Sequence, residues 1–317
     1  MLRISPKMNK NKTYKILMRS SGVILLVLIL LKLDTRKILE SLANKNMLLI
    51  FPLFSVFLGH TYFRVKRWRL LLVNSKLNIT GKNLFSIYVG SFLPGAITPG
   101  RIGEIIKYRM LKSKKFDSDL GLVLSVQDRI WDISLPLLIG SMFMVYVSNE
   151  ILYVLYFLPC VIIFIFASLR PELVVCFIVG ILQKYLPNVG FTKKMFVLSK
   201  NIIPLSKVDL IKCLIFTIFS WLTYFLQVYF IFCATGIKYS FIFVSCAIAA
   251  AGLIALLPIS IAGIGTRDIA LVGLFILSDK PPEAAITLST CILLIFLANC
   301  VISFPFWIYE SKSLVTT

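Results

Sequence analysis

Residues 93–104 read LPGAITPGRIGE, a stretch in which Pro94-Gly95 and Pro99-Gly100 interrupt an apolar run that starts near Leu84. Basic residues lie on both sides of this run. The stretch Arg64-Val65-Lys66-Arg67-Trp68-Arg69 precedes it, directly after a predicted span at about 47–63, and a second basic cluster follows from Lys107, so both flanks have cytoplasmic character. The run is too short and too broken to cross a bilayer, and both its ends face the same side. These features predict a re-entrant element over about 84–106 that lines a cavity enclosed by protein. Two short full crossings are the alternative.

The rest of the chain has the composition of a membrane protein. Of its 317 residues, 58% are hydrophobic and 15% are charged, whereas about a quarter of the residues of a soluble domain are charged. Apolar runs recur from Gly22 to Trp307. Backbone groups in lipid must be satisfied within each segment, which favours helices. This excludes a soluble globular protein and predicts an all-α integral membrane protein, a polytopic helical bundle.

The charge balance and the residue inventory narrow the class further. Lys and Arg number 34 against 14 Asp and Glu, an excess typical of cytoplasmic loops that face anionic lipids rather than of nucleic-acid binding. We therefore expect a multi-pass protein of the cell membrane with both termini in the cytoplasm. His60 is the single histidine and the seven cysteines lie singly in apolar runs. This argues against a Ser-His-Asp triad, a metal site or a bound cofactor.

Three regions follow from the apolar runs. Residues 1–170 form a first membrane half, which begins with a predicted span at about 16–33 and contains its re-entrant element at about 84–106. Residues 171–209, which mix apolar residues with lysines, are interpreted as a cytoplasmic interfacial linker. Residues 210–317 form a second membrane half, with a re-entrant element at about 240–278.

The two halves share short motifs. Residues 257–268 read LPISIAGIGTRD, so that Leu93-Pro94 recurs as Leu257-Pro258, and Thr61-Tyr62-Phe63 recurs as Thr223-Tyr224-Phe225. Basic residues follow the first Thr-Tyr-Phe but not the second, which indicates halves of opposite topology. Gly/Pro-interrupted segments in matching places of two inverted halves point to the substrate site of a transporter. Coincidence between apolar segments of similar composition is the alternative.

Charged residues inside the apolar pattern are the candidate site. Arg101 and Glu104, next to a helix start, suit a phosphate, although a tight turn in which the two residues only pair is the alternative. Asp128 and Asp132 share one helix face, with Arg129 between them. They could relay protons or hold an amine, or they could form an internally satisfied ion cluster with Arg101 or Arg267. His60 is interpreted as a hydrogen-bonded interior residue more readily than as a proton switch.

Taken in order, the motifs at 93–104, 128–132 and 257–268 resemble the flippase-like transmembrane domain of lysylphosphatidylglycerol synthetases and its stand-alone relatives. The resemblance covers nearly the whole chain and implies movement of a lipid between leaflets. The chain lacks a soluble carboxy-terminal synthetase domain, so we do not expect aminoacyl transfer. The site positions that the motifs imply are Pro94, Gly100, Arg101, Gly103, Glu104, Asp128, Arg129, Asp132, Pro258, Ser260, Gly263, Gly265, Arg267 and Asp268.

The sequence therefore predicts a lipid translocase that moves an anionic phospholipid or a polyprenyl-phosphate lipid, with no catalytic residue. Arg101 and Arg267 would bind the phosphate, and Glu104, Asp128 and Asp132 would balance charge or carry protons. One alternative is a membrane enzyme, or a subunit of one, in phospholipid or lipid-linked glycan synthesis. Another is a scaffold for a separate soluble synthetase, and a glycosyltransferase is a further possible partner. The oligomeric state is left open.

Overall fold

The structure is a computed structural model that describes residues 50–114, 118–148, 151–185, 204–255, 263 and 265–316. The described elements are helical throughout. The predicted first span, at about 16–33, lies outside these residues. The helices in chain order are α1 (Ile50–Asn74), α2 (Gly81–Gly90), α3 (Phe92–Ile97), a 3₁₀ helix (Pro99–Ile106), α4 (Lys107–Ser113), α5 (Ser118–Ser148), α6 (Ile151–Leu169), α7 (Pro171–Tyr185), α8 (Lys207–Ala234), α9 (Phe241–Ala255), α10 (Thr266–Leu277) and α11 (Pro282–Thr316).

Three of the described helices are long and apolar enough to cross a membrane. The qualifying segments are Leu120–Val147 of α5, Lys207–Ala234 of α8 and Pro282–Lys312 of α11. At a rise of about 1.5 Å per residue, each is longer than the roughly 30 Å of a bilayer's hydrocarbon core. An all-α membrane protein is therefore the architecture, as the composition predicts.

The helical run that contains Pro94-Gly95 and Pro99-Gly100 is interrupted at Thr98, as these residue pairs predict. Helix α3 ends at Ile97, Thr98 has extended backbone angles, and the chain resumes as the 3₁₀ helix at Pro99. Thr98 holds this break together, because its hydroxyl accepts a hydrogen bond from the Gly103 amide at 2.6 Å and lies 3.1 Å from the Pro94 carbonyl oxygen. A Cβ on Gly103 would collide with that same carbonyl, so the two sides of the break approach too closely for a side chain.

The corresponding part of the second half also contains a break. Helix α9 ends at Ala255 and α10 begins at Thr266, after Gly263 and Gly265, which have φ of 75° and 89°. These are left-handed backbone angles that favour glycine. Pro258 and Ser260 lie outside the described residues.

The packing places the broken segments next to long helices of the other half. Helix α1 packs along α8, α2 packs against α11, and α5 packs against α9. Two glycines allow two of these approaches to be close: a Cβ on Gly90 would lie 3.2 Å from the Phe306 backbone, and one on Gly140 would lie 2.8 Å from Ala250 Cα. Helices from the first 148 residues therefore pack directly against helices that follow residue 206.

The region predicted as a linker is described only in part. Its first residues form α7, which packs against α5 and α6, and its last residues include Ser206, which caps α8 by accepting a hydrogen bond from the Asp209 amide at 3.1 Å. Residues 186–203 lie outside the described part. The interfacial position of this region stays a prediction.

Candidate functional site

Two aspartates on α5 organise a buried ion network. Asp128 is fully buried, and its carboxylate accepts hydrogen bonds from Arg67 Nη2 at 2.7 Å, Lys107 Nζ at 2.7 Å and the Tyr88 hydroxyl at 3.0 Å. Arg67 also donates to Thr217 of α8 at 3.0 Å. This single carboxylate therefore joins α1, α2 and α4 to α5, and Arg67 extends the network to the second half.

One turn along α5, Asp132 contacts three arginines. It accepts hydrogen bonds from Arg64 Nε at 3.2 Å and from Arg64 Nη2, and it forms a further ion pair with Arg67. Arg129 Nη1 lies 3.5 Å from the same carboxylate. The side chains of Asp128 and Asp132 therefore form an ion cluster, but within the described residues its cations come from α1, α4 and α5 and do not include Arg101 or Arg267, which one sequence alternative proposed.

A proline explains why the backbone at Asp132 is also engaged. Pro136 lies four residues further along α5 and has no N–H, so the Asp132 carbonyl has no helical donor. Trp221 of α8 supplies one, because its indole Nε1 donates to that oxygen at 3.1 Å. This bond fixes Trp221 beside the charged cluster.

Sequence reasoning missed three members of the network. Arg64, Arg67 and Lys107 were interpreted as parts of basic clusters at the cytoplasmic ends of apolar runs, yet they are 6%, 0% and 0% exposed. Helix α1 does not end at Phe63 but continues to Asn74. A signal was available: Arg64, Arg67, Trp68 and Leu71 follow the i, i+3, i+4, i+7 spacing of one helix face, and all four are buried.

Arg101 and Glu104 both belong to the 3₁₀ helix, but their side chains lie in different environments. Arg101 has φ of 57°, which is unusual for a residue with a side chain, and its guanidinium lies 5.4 Å from the Phe92 ring. Among the described residues, no carboxylate lies within ion-pair distance of it. Glu104 is buried and forms an ion pair with Arg129, and its Oε2 lies 3.6 Å from Arg64 Nη2. Arg101 and Glu104 therefore do not simply pair with each other.

The equivalent arginine and acid of the second half are at the start of α10. Asp268 accepts hydrogen bonds from the Gly265 amide at 3.0 Å and from the Ser289 hydroxyl, so it caps this helix. Arg267 Nη2 lies 3.4 Å from Asp268 Oδ1, while its Nε is buried without a hydrogen-bond partner in the described structure. Arg267 therefore retains donor capacity.

A cavity of about 140 Å³ collects these arginines. Four line it, each from a different element: Arg64 from α1, Arg101 from the 3₁₀ helix, Arg129 from α5 and Arg267 from α10. Asp132 is the acid among the described residues that line it. The remaining walls carry aromatic and apolar side chains, namely Trp221, Tyr224, Ile133, Pro136, Ile248, Ala249, Ala255 and Ile292, together with His60 and Gly252. One cavity is thus lined by both cationic and apolar side chains.

His60 has the interior role expected from the sequence. Its Nδ1 lies 2.8 Å from the Ser220 carbonyl oxygen, with the Ser220 hydroxyl 3.0 Å away. Its ring packs against Tyr224 with centroids 5.5 Å apart. It therefore fixes the crossing of α1 and α8 beside the cavity. Within the described ranges, no group of three His, Cys, Asp or Glu side chains is arranged to hold a metal ion.

These features define a helical membrane protein with an arginine-lined cavity between its helices. The family model described as the lysylphosphatidylglycerol synthase TM region matches residues 16–302. The chain belongs to this family, as its paired motifs indicate. No curated protein and no solved structure matches the chain significantly. The family links the protein to lipid synthesis or to lipid movement across the membrane.

Proposed function

We propose that the protein is a flippase-like lipid translocase that moves an anionic phospholipid or a lipid-linked phosphate between leaflets. The observation that carries this proposal is the cavity, which four arginines, one aspartate and several apolar side chains line together. A phosphate is the ligand that best fits such an excess of guanidinium groups, because a guanidinium such as that of Arg101 or Arg267 can donate two parallel hydrogen bonds to it.

The apolar walls favour a lipid over a soluble phosphate. Ile133, Ile248 and Ile292 line the same cavity as Arg101 and Arg267. A soluble anion would gain nothing from these side chains, whereas the glycerol and acyl portion of a lipid would bury apolar surface against them. The cavity therefore suits an amphipathic ligand whose phosphate points at the arginines.

The inverted repeat is part of the proposal and is supported by the order of the elements. Each half begins with a long helix, α1 or α8. A shorter helix, a Gly/Pro break, a short helix and a second long helix, α5 or α11, follow in that order. The packing is reciprocal: the helix before the break in each half lies against the long helix after the break in the other half, as α2 does with α11 and α9 does with α5. Arg101 and Arg267 follow the two breaks and face one cavity. Inverted halves that share a central site are typical of alternating-access transporters.

We further propose that the broken segments enter and leave the membrane on one side. Helix α3 has 6 residues, the 3₁₀ helix 8 and α4 7, so none of them alone spans a hydrocarbon core. Non-helical backbone at membrane depth is tolerated where protein encloses it. The proposed location is the cell membrane, in contact with anionic lipids.

A transport role is favoured over an enzymatic one by the state of the acids. Asp128 and Asp132 are held by several cations each, so their oxygens are committed to structural contacts. A general acid or base must reach the proton that it transfers. We propose that these aspartates hold Arg64, Arg67 and Arg129 in position.

The test is movement of a labelled anionic phospholipid between the leaflets of proteoliposomes. Charged hydrogen bonds contribute about 1.5–3 kcal/mol, so Arg101→Ala should reduce the flux about tenfold or more. Arg109→Ala is the matched control, because Arg109 is exposed and donates to the neighbouring Tyr108 hydroxyl. The control should transport like the wild type. Equal flux in all three proteins at matched insertion would reject the site.

A further inference from the structure

A second, smaller cavity lies beside the arginine-lined one. It measures about 20 Å³ and is lined by Tyr88 of α2, Glu104, and Asn299 and Ser303 of α11. His60 and Arg64 line both cavities, so the two share one wall. The space holds a single water-sized group and is too small for a phosphate.

Three residues that line this small cavity each have a buried oxygen atom with no hydrogen-bond partner within the described structure. The atoms are Glu104 Oε1, Asn299 Oδ1 and Ser303 Oγ. Their residues are 1%, 8% and 0% exposed, so bulk water does not satisfy them. Buried polar atoms without partners are costly and rare in native proteins. Three of them around one small space indicate an occupant.

We propose that this pocket binds a small monovalent cation, either Na⁺ or a proton carried as hydronium. Carboxylate, amide and hydroxyl oxygens are hard ligands and suit hard cations. A divalent ion is disfavoured, because the pocket offers one carboxylate and Arg64 faces it. The cavity volume permits one such ion.

The position of Glu104 couples this cation to the ligand of the large cavity. Glu104 forms an ion pair with Arg129 through Oε2, and Arg129 lines the large cavity. A phosphate bound to Arg129 competes with Glu104 for that guanidinium, and the carboxylate then needs another counter-ion. The cation at Oε1 supplies this charge. By linkage, each ligand therefore strengthens binding of the other. This coupling rests on the proposed binding of a phosphate lipid.

Other charged or titratable groups around Glu104 come from three elements. They are His60 and Arg64 on α1, Tyr88 on α2, and Arg129 and Asp132 on α5. His60 and Tyr88 are already engaged, with Ser220 and Asp128 respectively. Arg64 and Arg129 both contact Asp132. Among these groups, Glu104 is the acid with a free oxygen in the small cavity.

The experiment measures binding of dihexanoylphosphatidic acid, a short phosphate lipid, to the purified protein at constant ionic strength. Replacing Na⁺ by N-methylglucamine at fixed pH should weaken binding of the lipid to the wild type about tenfold, which is a typical size for the coupling between two binding sites. The Ser303→Ala protein should lose this dependence. Ser311→Ala is the matched control, since Ser311 is a buried serine of α11 that donates to the Ile308 carbonyl. It should behave like the wild type.

Two further arms separate the outcomes. If Na⁺ has no effect but binding to the wild type tightens at lower pH, and Glu104→Gln removes this pH dependence, the occupant is the proton. If the phosphate lipid binds with no dependence on either cation, the proposal is overturned and the translocase proposal stands. If the lipid does not bind, the translocase proposal fails. The small pocket is then judged by the thermal stability of the lipid-free protein. If the occupant is Na⁺, Na⁺ should raise the stability of the wild type and of Ser311→Ala but not of Ser303→Ala; if it is the proton, lower pH should raise the stability of the wild type but not of Glu104→Gln. A wild type that shows neither dependence overturns the proposal.

Discussion

Arg129 and Glu104 form an ion pair across the boundary between the two cavities of this protein. Arg129 lines the large, arginine-rich cavity and Glu104 lines the small one. The pair joins α5 to the 3₁₀ helix that follows the first break. Under the proposed function, a ligand that engages Arg129 acts directly on the broken segment through this ion pair.

The first prediction concerns Asp128. Asp128→Asn removes the charge that balances buried Arg67 and Lys107, so it should lower the free energy of unfolding by about 3–5 kcal/mol. Asp209→Asn is the control, because Asp209 pairs with Lys212 at 3.3 Å on an exposed surface and should lose less than about 1 kcal/mol. Thermal or denaturant-induced unfolding in detergent measures both. Equal losses in the two variants would show that the buried network does not stabilise the fold.

The second prediction concerns the bond between Trp221 and the Asp132 carbonyl. Trp221→Phe leaves this buried oxygen without a donor and should lower the free energy of unfolding by about 1–3 kcal/mol. Pro136→Ala restores an N–H that can bond to the same oxygen. In that background, Trp221→Phe should therefore lower the free energy of unfolding by a smaller amount. The double-mutant cycle measures the difference. Strictly additive losses would contradict the assignment of Trp221 as the substitute donor.

The third prediction tests the inverted topology. Lys76 and Lys238 are exposed and lie in the loops that follow α1 and α8, the equivalent long helices of the two halves. In a background without the native cysteines, Lys76→Cys and Lys238→Cys should react with a membrane-impermeant maleimide from opposite sides of the membrane. Labelling of both from one side would exclude inverted halves. Each protein also serves as the control for the other's integrity.

Much of this architecture follows from local sequence signals. Leu84 to Thr98 predicts a helical run, and the Pro-Gly pairs predict its end, because proline and glycine act on the backbone within a few residues. Composition predicts the membrane class. Arg101, Glu104, Asp128, Arg129 and Asp132 attract attention because charges inside apolar runs are costly. The structure brings Arg101, Arg129, Asp132 and Arg267 to one cavity.

The partners of these charges could not be predicted in the same way. Arg64 and Arg67 follow an apolar run, where basic residues usually mark the membrane boundary. Their helical spacing places them on one face, but only the tertiary packing identifies Asp128 and Asp132 as their partners. The bond from Trp221 to Asp132 joins residues 89 positions apart. Asn299 and Ser303 carry no charge, so nothing in an apolar helix distinguishes them until the cavity that they line is known.

The most direct test of the central claim compares two labelled lipids in proteoliposomes, phosphatidic acid and diacylglycerol, which differ in the phosphate. The wild type should accelerate movement of phosphatidic acid between leaflets, and the double variant Arg101→Ala/Arg267→Ala should not, although it inserts equally well. Movement of diacylglycerol should be the same with and without either protein. Phosphatidic acid flux that persists in the double variant, or that the wild type does not raise above empty liposomes, would contradict a translocase built around these arginines.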